Sequence, residues 1–241
     1  MYFPERFSAA KYQQLVSQSH LQAWPSDTDY RGLTKTGALQ PTKGTIIIFH
    51  GNAGSAIDRS YYFDALQFLG YRVIVAEYPG YGGRTGAISE QILINDGIAT
   101  VETALTQFGE PLFLWGESLG GGIVSGIINS KPLPIHGLVL LTPFDTMPRV
   151  AQTHYWFLFA ALLVKDKFDN VNNLKHFTGK IAVLLCDQDR IVPNKHSLSL
   201  FDALTTNKKL WTFHNAGHND WPKSANEPWW QEVMNFVDKP T

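Results

Sequence analysis

The chain has 241 residues, with 20 Lys and Arg against 21 Asp and Glu, a formal net charge of -1 and 44% hydrophobic residues. That length suits one domain with a sizeable core, and the balanced charge without basic clusters argues against nucleic acid, whose affinity needs concentrated Lys and Arg. Cys186 is the only cysteine, so no internal disulfide can form; it is expected to pack as a small hydrophobe, as suits a reducing cytoplasm.

Residues 1–14 carry Glu5, Arg6 and Lys11 and lack an uninterrupted apolar core, so neither signal peptide nor anchor is expected there. Residues 21–24 and 30–34 read as edge strands. The first strong strand, 45–49 (Thr-Ile-Ile-Ile-Phe), runs directly into His50-Gly51-Asn52-Ala53-Gly54. Glycines let backbone approach a substrate closely. The Asn52 amide is therefore expected to donate to a developing oxyanion, with Ala53 the alternative if the loop turns one residue later. His50 is expected to shape this loop rather than take part in chemistry.

A second strand is read at 71–76. The following Gly-Tyr-Gly-Gly-Arg-Thr-Gly at 80–86 invites a dinucleotide reading, but Thr85 stands where the third glycine belongs and Tyr78-Pro79 precede it. It is read instead as a loop shaping a pocket, with Tyr81 a candidate substrate contact. After Ser89, Ile94, Ile98, Val101, Leu105 and Phe108 recur at steps of four and three, the pattern of a helix with one face on a sheet.

The apolar run 112–115 leads into Gly116-Glu117-Ser118-Leu119-Gly120 and then a small-residue helical stretch to Asn129. Strand, sharp turn and helix are the context of a nucleophile elbow, in which a serine is held in a strained conformation with its hydroxyl projecting. Side chains at Gly116 or Gly120 would collide with the adjoining strand or helix. The Leu119 amide, at the helix start, is expected as the other oxyanion donor.

A further strand is read at 137–141. Residues 145–180 then form the least determined segment, a possible small lid. Its apolar run at 155–164 is too short for a bilayer, which needs about 20 residues. It reads as a buried or substrate-facing helix, ahead of a small lid or a lipid-facing patch, with Trp156 and Phe159 as acyl-chain contacts. Strand 181–186 ends beside Asp187 and Asp189; spacing alone does not separate the two, but Asp189 precedes Arg190-Ile191-Val192-Pro193 and a helix near Lys195, which favours it. Strand 209–213 is followed by His218, on a loop with Gly217 and Asn219 before the last helix. His214, His218 and Asp220 could be weighed as a metal site, but Gly217 breaks helical regularity and the metalloprotease Glu is missing, so no metal or other cofactor is expected.

Alternating strands and helices predict a mostly parallel central sheet with helices on both faces, in one domain over 1–241. The order Ser118, Asp189, His218 is that of α/β hydrolases: His218 would take the Ser118 proton while Asp189 fixes the imidazole tautomer. His-Gly-Asn-Ala-Gly at 50–54, Glu-Tyr-Pro-Gly-Tyr-Gly at 77–82, Gly-Glu-Ser-Leu-Gly-Gly at 116–121, Thr-Pro-Phe at 142–144, Asp189 before Arg-Ile-Val-Pro, and Gly-His-Asn-Asp at 217–220 carry a resemblance. The chain is similar to the α/β-hydrolase superfamily, within it to the BEM46-like group of esterase-like α/β-hydrolase-domain proteins. The resemblance implies serine-dependent hydrolysis of carboxylic esters or thioesters, with Ser118, Asp189 and His218 as the triad. A carboxylesterase for short or medium acyl chains is the favoured activity, ahead of an acyl-protein thioesterase or a monoacylglycerol or lysophospholipid lipase. The alternative of another class is a non-catalytic small-molecule-binding protein on the same scaffold. Many members of that group begin with a membrane-spanning helix, which the sequence here does not lead one to expect.

Overall fold

A computed structural model describes residues 2–35, 42–155 and 160–239. In chain order, β1 (Phe3–Pro4) and α1 (Ala9–Gln18) precede β2 (Leu21–Pro25), β3 (Tyr30–Lys35), β4 (Thr45–Phe49), β5 (Ala53–Gly54), α2 (Tyr61–Phe68) and β6 (Arg72–Ala76). The middle holds α3 (Glu90–Phe108), β7 (Leu112–Glu117), α4 (Leu119–Ser130), β8 (Gly137–Leu141), α5 (Met147–His154) and α6 (Asn170–Asn173). The chain continues through β9 (Lys180–Cys186), α7 (Asn194–Ala203), β10 (Lys208–Phe213) and α8 (Pro228–Asp238).

Eight strands form one sheet in the order β10-β9-β8-β7-β4-β6-β3-β2. All pairings from β10 to β6 are parallel, and β3 and β2 add an antiparallel edge. The expected α/β architecture is therefore present; both strands expected at the edge exist, but of the two only β2 is an edge strand, since β3 is paired on one side with β2 and on the other with β6. Every residue of β4, β7, β8 and β9 is buried. Strands covered on both faces read as unbroken apolar runs, which is why they stood out in the sequence.

Alternation along each strand splits the core in two. Ile46, Ile48, Val73, Val75, Phe113 and Trp115 pack with Tyr62 and Phe63 of α2 and Trp229, Trp230 and Val233 of α8. Their neighbours Ile47, Phe49, Ile74, Leu112 and Leu114 pack on the other face with Leu93 and Val101 of α3 and Ile123 and Ile127 of α4. A period of two sends adjacent side chains to opposite faces.

Helix α3 differs from its expected face. Its buried residues are Leu93, Ile94, Gly97, Thr100, Val101 and Ala104, while Ile98, Leu105 and Phe108 are only partly buried at the flank. Glycine explains the rotation. A Cβ on Gly97 would stand 2.7 Å from Ile127 Cδ1, and one on Gly126 would overlap Ile94. The two helices cross through these bare positions, so the contact line follows glycine and not the largest side chains.

Cys186 ends β9 fully buried, and burial pushes its thiol pKa up to about 12. It is inert as a nucleophile at neutral pH. Among the described residues, no helix is long and apolar enough to cross a membrane.

Candidate active site

The carboxyl ends of the parallel strands supply the site. Asn52 follows β4, Ser118 follows β7, Asp189 follows β9 and His218 follows β10, on a contiguous stretch of sheet. Loops at that edge of an open parallel sheet form its ligand crevice.

Ser118 sits between β7 and α4 with φ 51° and ψ -110°, a conformation L-residues rarely adopt. Neighbouring glycines permit the turn. A Cβ on Gly116 would lie 2.5 Å from the Gly121 Cα, and one on Gly120 would overlap the Phe49 carbonyl oxygen. Neither obstacle is a movable side chain. The turn leaves Ser118 half-buried at the start of α4, whose first amides and dipole favour negative charge.

Asp189 is 8% exposed, and its Oδ1 accepts the amides of Ile191 and Val192 at 2.8 Å each. Its Oδ2 lies 2.6 Å from His218 Nδ1. A carboxylate can only accept, so Nδ1 carries a ring proton, which in the neutral imidazole leaves Nε2 with its lone pair. Asp187 takes a different partner: its Oδ2 is 3.0 Å from Nδ1 of the exposed His214, and its Oδ1 accepts the Asn215 amide. Geometry thus separates two aspartates that spacing could not. His214, His218 and Asp220 turn to three different partners, Asp187, Asp189 and the Gly217 amide.

A cavity of about 330 Å³ joins these parts, with Ser118, Leu119, Asn52, Ala53 and His218 in its wall. Ser118 and His218 share that wall without a hydrogen bond between them among the described residues. The rest of the lining is largely apolar: Phe3, Phe144, Met147, Val150, Ile191 and Val192. Trp156 and Phe159, expected as acyl contacts, lie outside the described residues.

Tyr81 requires a correction. It is fully buried and absent from the cavity wall among the described residues, and its hydroxyl donates to the Asn52 carbonyl at 2.9 Å. It supports the loop from behind instead of touching ligand. His50, expected to shape the loop, is buried; its Nδ1 lies 2.8 Å from the Gly51 carbonyl, and its Nε2 is 3.4 Å from Glu77 Oε1. The loop is also held from outside, where β1 pairs with β5 and the Phe3 amide donates to Asn52 Oδ1 at 3.3 Å. The short, charged N-terminus carried no sequence signal for this clamp.

Sequence reasoning also missed the pair beside the elbow. Glu117 Oε2 accepts from Arg59 Nε at 3.3 Å and from the hydroxyls of Tyr61 and Tyr62 at 3.3 and 3.2 Å. Burial alone would raise the Glu117 pKa, but Arg59, with smaller contributions from His50, His218 and Lys223, leaves it below the usual value. Both Arg59 and Glu117 line the cavity.

A family model for serine aminopeptidase, S33 (Hydrolase_4), matches residues 40–170, more than half of the chain. The chain belongs to this S33 hydrolase family. The zebrafish (Danio rerio) lysophosphatidylserine lipase ABHD12 is 27% identical over 192 residues, covering 72% of this chain and 50% of that protein. An uncharacterized Mycobacterium tuberculosis protein is 32% identical over 178 residues, covering 73% and 63%. The S33 hydrolase chain thus spans about half to two-thirds of the length of these relatives. Among solved structures, an esterase of Pyrococcus furiosus superposes with a TM-score of 0.67 at 15% identity, covering 98% of this chain and 97% of that one. The S33 hydrolase thereby shares its α/β-hydrolase fold with an esterase.

Proposed function

We propose that this chain is a serine esterase that cleaves carboxylic esters through an acyl-enzyme on Ser118, with short or medium acyl chains as its substrates. The observation that carries the reading is the Asp189–His218 contact of 2.6 Å, which holds an imidazole in the same cavity wall as a serine at φ 51°. In this reading His218 Nε2 takes the Ser118 hydroxyl proton as Oγ bonds to the substrate carbonyl carbon. The amides of Asn52 and Leu119 receive the resulting oxyanion. Collapse of the tetrahedral intermediate breaks the ester C–O bond, and His218 returns the proton to the departing alcohol. Water, losing a proton to His218, then attacks the acyl carbon; collapse breaks the bond to Ser118 Oγ, which takes the proton back from His218 as the acid departs.

The apolar half of the cavity suits an acyl chain, while Asn219 and the Arg59–Glu117 pair give the other part polar walls. A lipase acting on a monoacylglycerol or lysophospholipid is the second reading, favoured by that lining and by the likeness to lysophosphatidylserine lipase. The thioesterase alternative uses the same groups. The buried thiol of Cys186 fits the proposed cytoplasmic setting.

A fluorophosphonate probe tests the proposal. Labelling of the wild type with none of Ser118→Ala is expected; equal labelling of both, or of neither, would overturn it. Rates across an acyl-length series of esters and matching thioesters then rank the substrate classes.

A further inference from the structure

The geometry points to a phosphate-binding site in a second hollow, between α5 and α7 and separate from the Ser118 cavity. This hollow, about 450 Å³, is lined by Arg149, Gln152, Thr153, Lys195 and His196. Two of the five are permanent cations, and none is a carboxylate. Lys195 is exposed and the Arg149 side chain is 62% exposed. The first turn of α7 adds to the positive field: its N-cap is Pro193, which makes no side-chain cap, and Lys195 and His196 lie in that turn.

Beneath the hollow, hydrogen bonding is short of protons. His196 is 3% exposed; its Nδ1 is 2.9 Å from Asp145 Oδ1 and its Nε2 is 2.9 Å from Thr153 Oγ1. Asp145 is fully buried, also accepts the Thr146 amide, and takes Arg149 Nη1 at 2.7 Å. The Thr153 hydroxyl lies 3.1 Å from the Arg149 carbonyl as well. With a neutral imidazole protonated at Nδ1, two acceptors, Nε2 and that carbonyl, compete for one hydroxyl proton. With an imidazolium, Nε2 donates to Thr153 and Thr153 donates to the carbonyl.

Burial opposes that charged form and lowers the His196 pKa, as do Lys195 and Arg149, against the pull of Asp145. An anion in the hollow reverses the balance. It would offset the charge of Lys195, Arg149 being already paired with Asp145, and favour the charged imidazole behind them. Set against the one carboxylate of Asp145, two cations and an imidazolium beside a helix start leave an excess of about two positive charges, which matches a phosphate dianion better than a lone carboxylate.

Two sources of phosphate are compatible with the surroundings. The hollow opens to solvent for a soluble phosphomonoester. Its rim also carries the turn at Ala160–Leu162, where the Ala161 amide donates to Gln152 and Leu162 and Leu163 are 84% and 74% exposed, as a phospholipid headgroup beside acyl chains would require. Met147 and Val150 of the same α5 line the Ser118 cavity, so one helix separates the two sites. The inference does not rest on the esterase reading.

Inorganic phosphate titrated into the full chain, followed by calorimetry and by the ring resonances of His196, gives the test. Saturable binding that moves those resonances is expected. It should weaken about tenfold in Lys195→Gln and vanish in Lys195→Glu, both exposed changes, whereas Lys209→Gln, the same charge loss at a site over the Trp211 ring, should bind as wild type. No saturation, unmoved His196 resonances, or equal weakening by Lys195→Gln and Lys209→Gln would overturn the site. Glycerol 3-phosphate and phosphatidylcholine vesicles containing phosphatidic acid then separate the sources. Lys195-dependent binding of the soluble ester identifies a phosphomonoester, Lys195-dependent vesicle sedimentation identifies a headgroup, and failure of both rejects the proposal.

Discussion

Asp189 divides its two oxygens between two sets of partners: Oδ1 holds the amides of Ile191 and Val192, and Oδ2 reaches His218 Nδ1. Asp189→Asn keeps the shape and an oxygen for the amides, but presents an amide group to the imidazole and selects the wrong tautomer. Turnover of an ester should fall about ten-thousandfold while the melting temperature barely moves. Asp187→Asn, whose partner His214 is 76% exposed, should leave turnover near wild type. Steady-state kinetics of the two variants side by side decides the assignment.

Gly120 and Gly121 are adjacent in α4 but are expected to respond to alanine with opposite signs. A Cβ at 120 overlaps a backbone carbonyl of β4, whereas a Cβ at 121 meets its nearest neighbours at 3.8 Å, ordinary contact. Gly120→Ala should cost about 3 kcal/mol or more, because strand backbone cannot step aside. Gly121→Ala should stabilise by about 0.5–1 kcal/mol through lost unfolded-state entropy. Urea midpoints measure both.

The strands were legible because burial on both faces writes apolar runs, and the elbow was legible because its steric demands fall on consecutive residues. Arg59–Glu117 and Asp145–His196 were not, since each joins residues more than 50 positions apart and neither partner stands out locally. Tyr81 shows the limit in another way: it lies near the cavity, but only the direction of its hydroxyl reveals that it serves Asn52. For α3, periodicity gave the helix and missed its rotation, because a sequence pattern weighs large side chains while Gly97 and Gly126 set the contact.

Glu117→Gln tests the buried pair. The variant leaves the Arg59 side chain, 15% exposed, without its counter-charge while keeping an acceptor for Tyr61 and Tyr62, and should lose about 3 kcal/mol of stability at neutral pH. The folded-state pKa is depressed, so the ionised pair contributes fully above the ordinary carboxylate range and is lost as pH falls through the depressed value. Denaturation curves from pH 7 downward should converge for wild type and variant. Curves that stay parallel would refute the pairing as a source of stability.

Tyr81→Phe removes the hydroxyl that donates to the Asn52 carbonyl at 2.9 Å and leaves the buried ring in place. Under the proposed mechanism, loosening the Asn52 loop should lower kcat by about tenfold, less than the hundredfold or more that follows loss of a whole oxyanion donor. KM should stay near its wild-type value, because the ring is not in the cavity wall. A rise in KM with unchanged kcat would instead return Tyr81 to substrate contact.

Val150 offers the most direct test of where an acyl chain lies. It is 7% exposed on α5, one helical turn from Met147, and both face the apolar part of the cavity. Val150→Phe would extend a ring into a space of about 330 Å³ without touching Ser118, Asp189 or His218. An acetyl group needs little of that space, while a longer chain must pass along α5. The ratio of kcat/KM for an eight-carbon ester to that for an acetate ester should therefore fall about tenfold or more, since displacing even one or two methylenes from an apolar pocket has that effect. An unchanged ratio would place the chain elsewhere and assign this cavity wall to the alcohol.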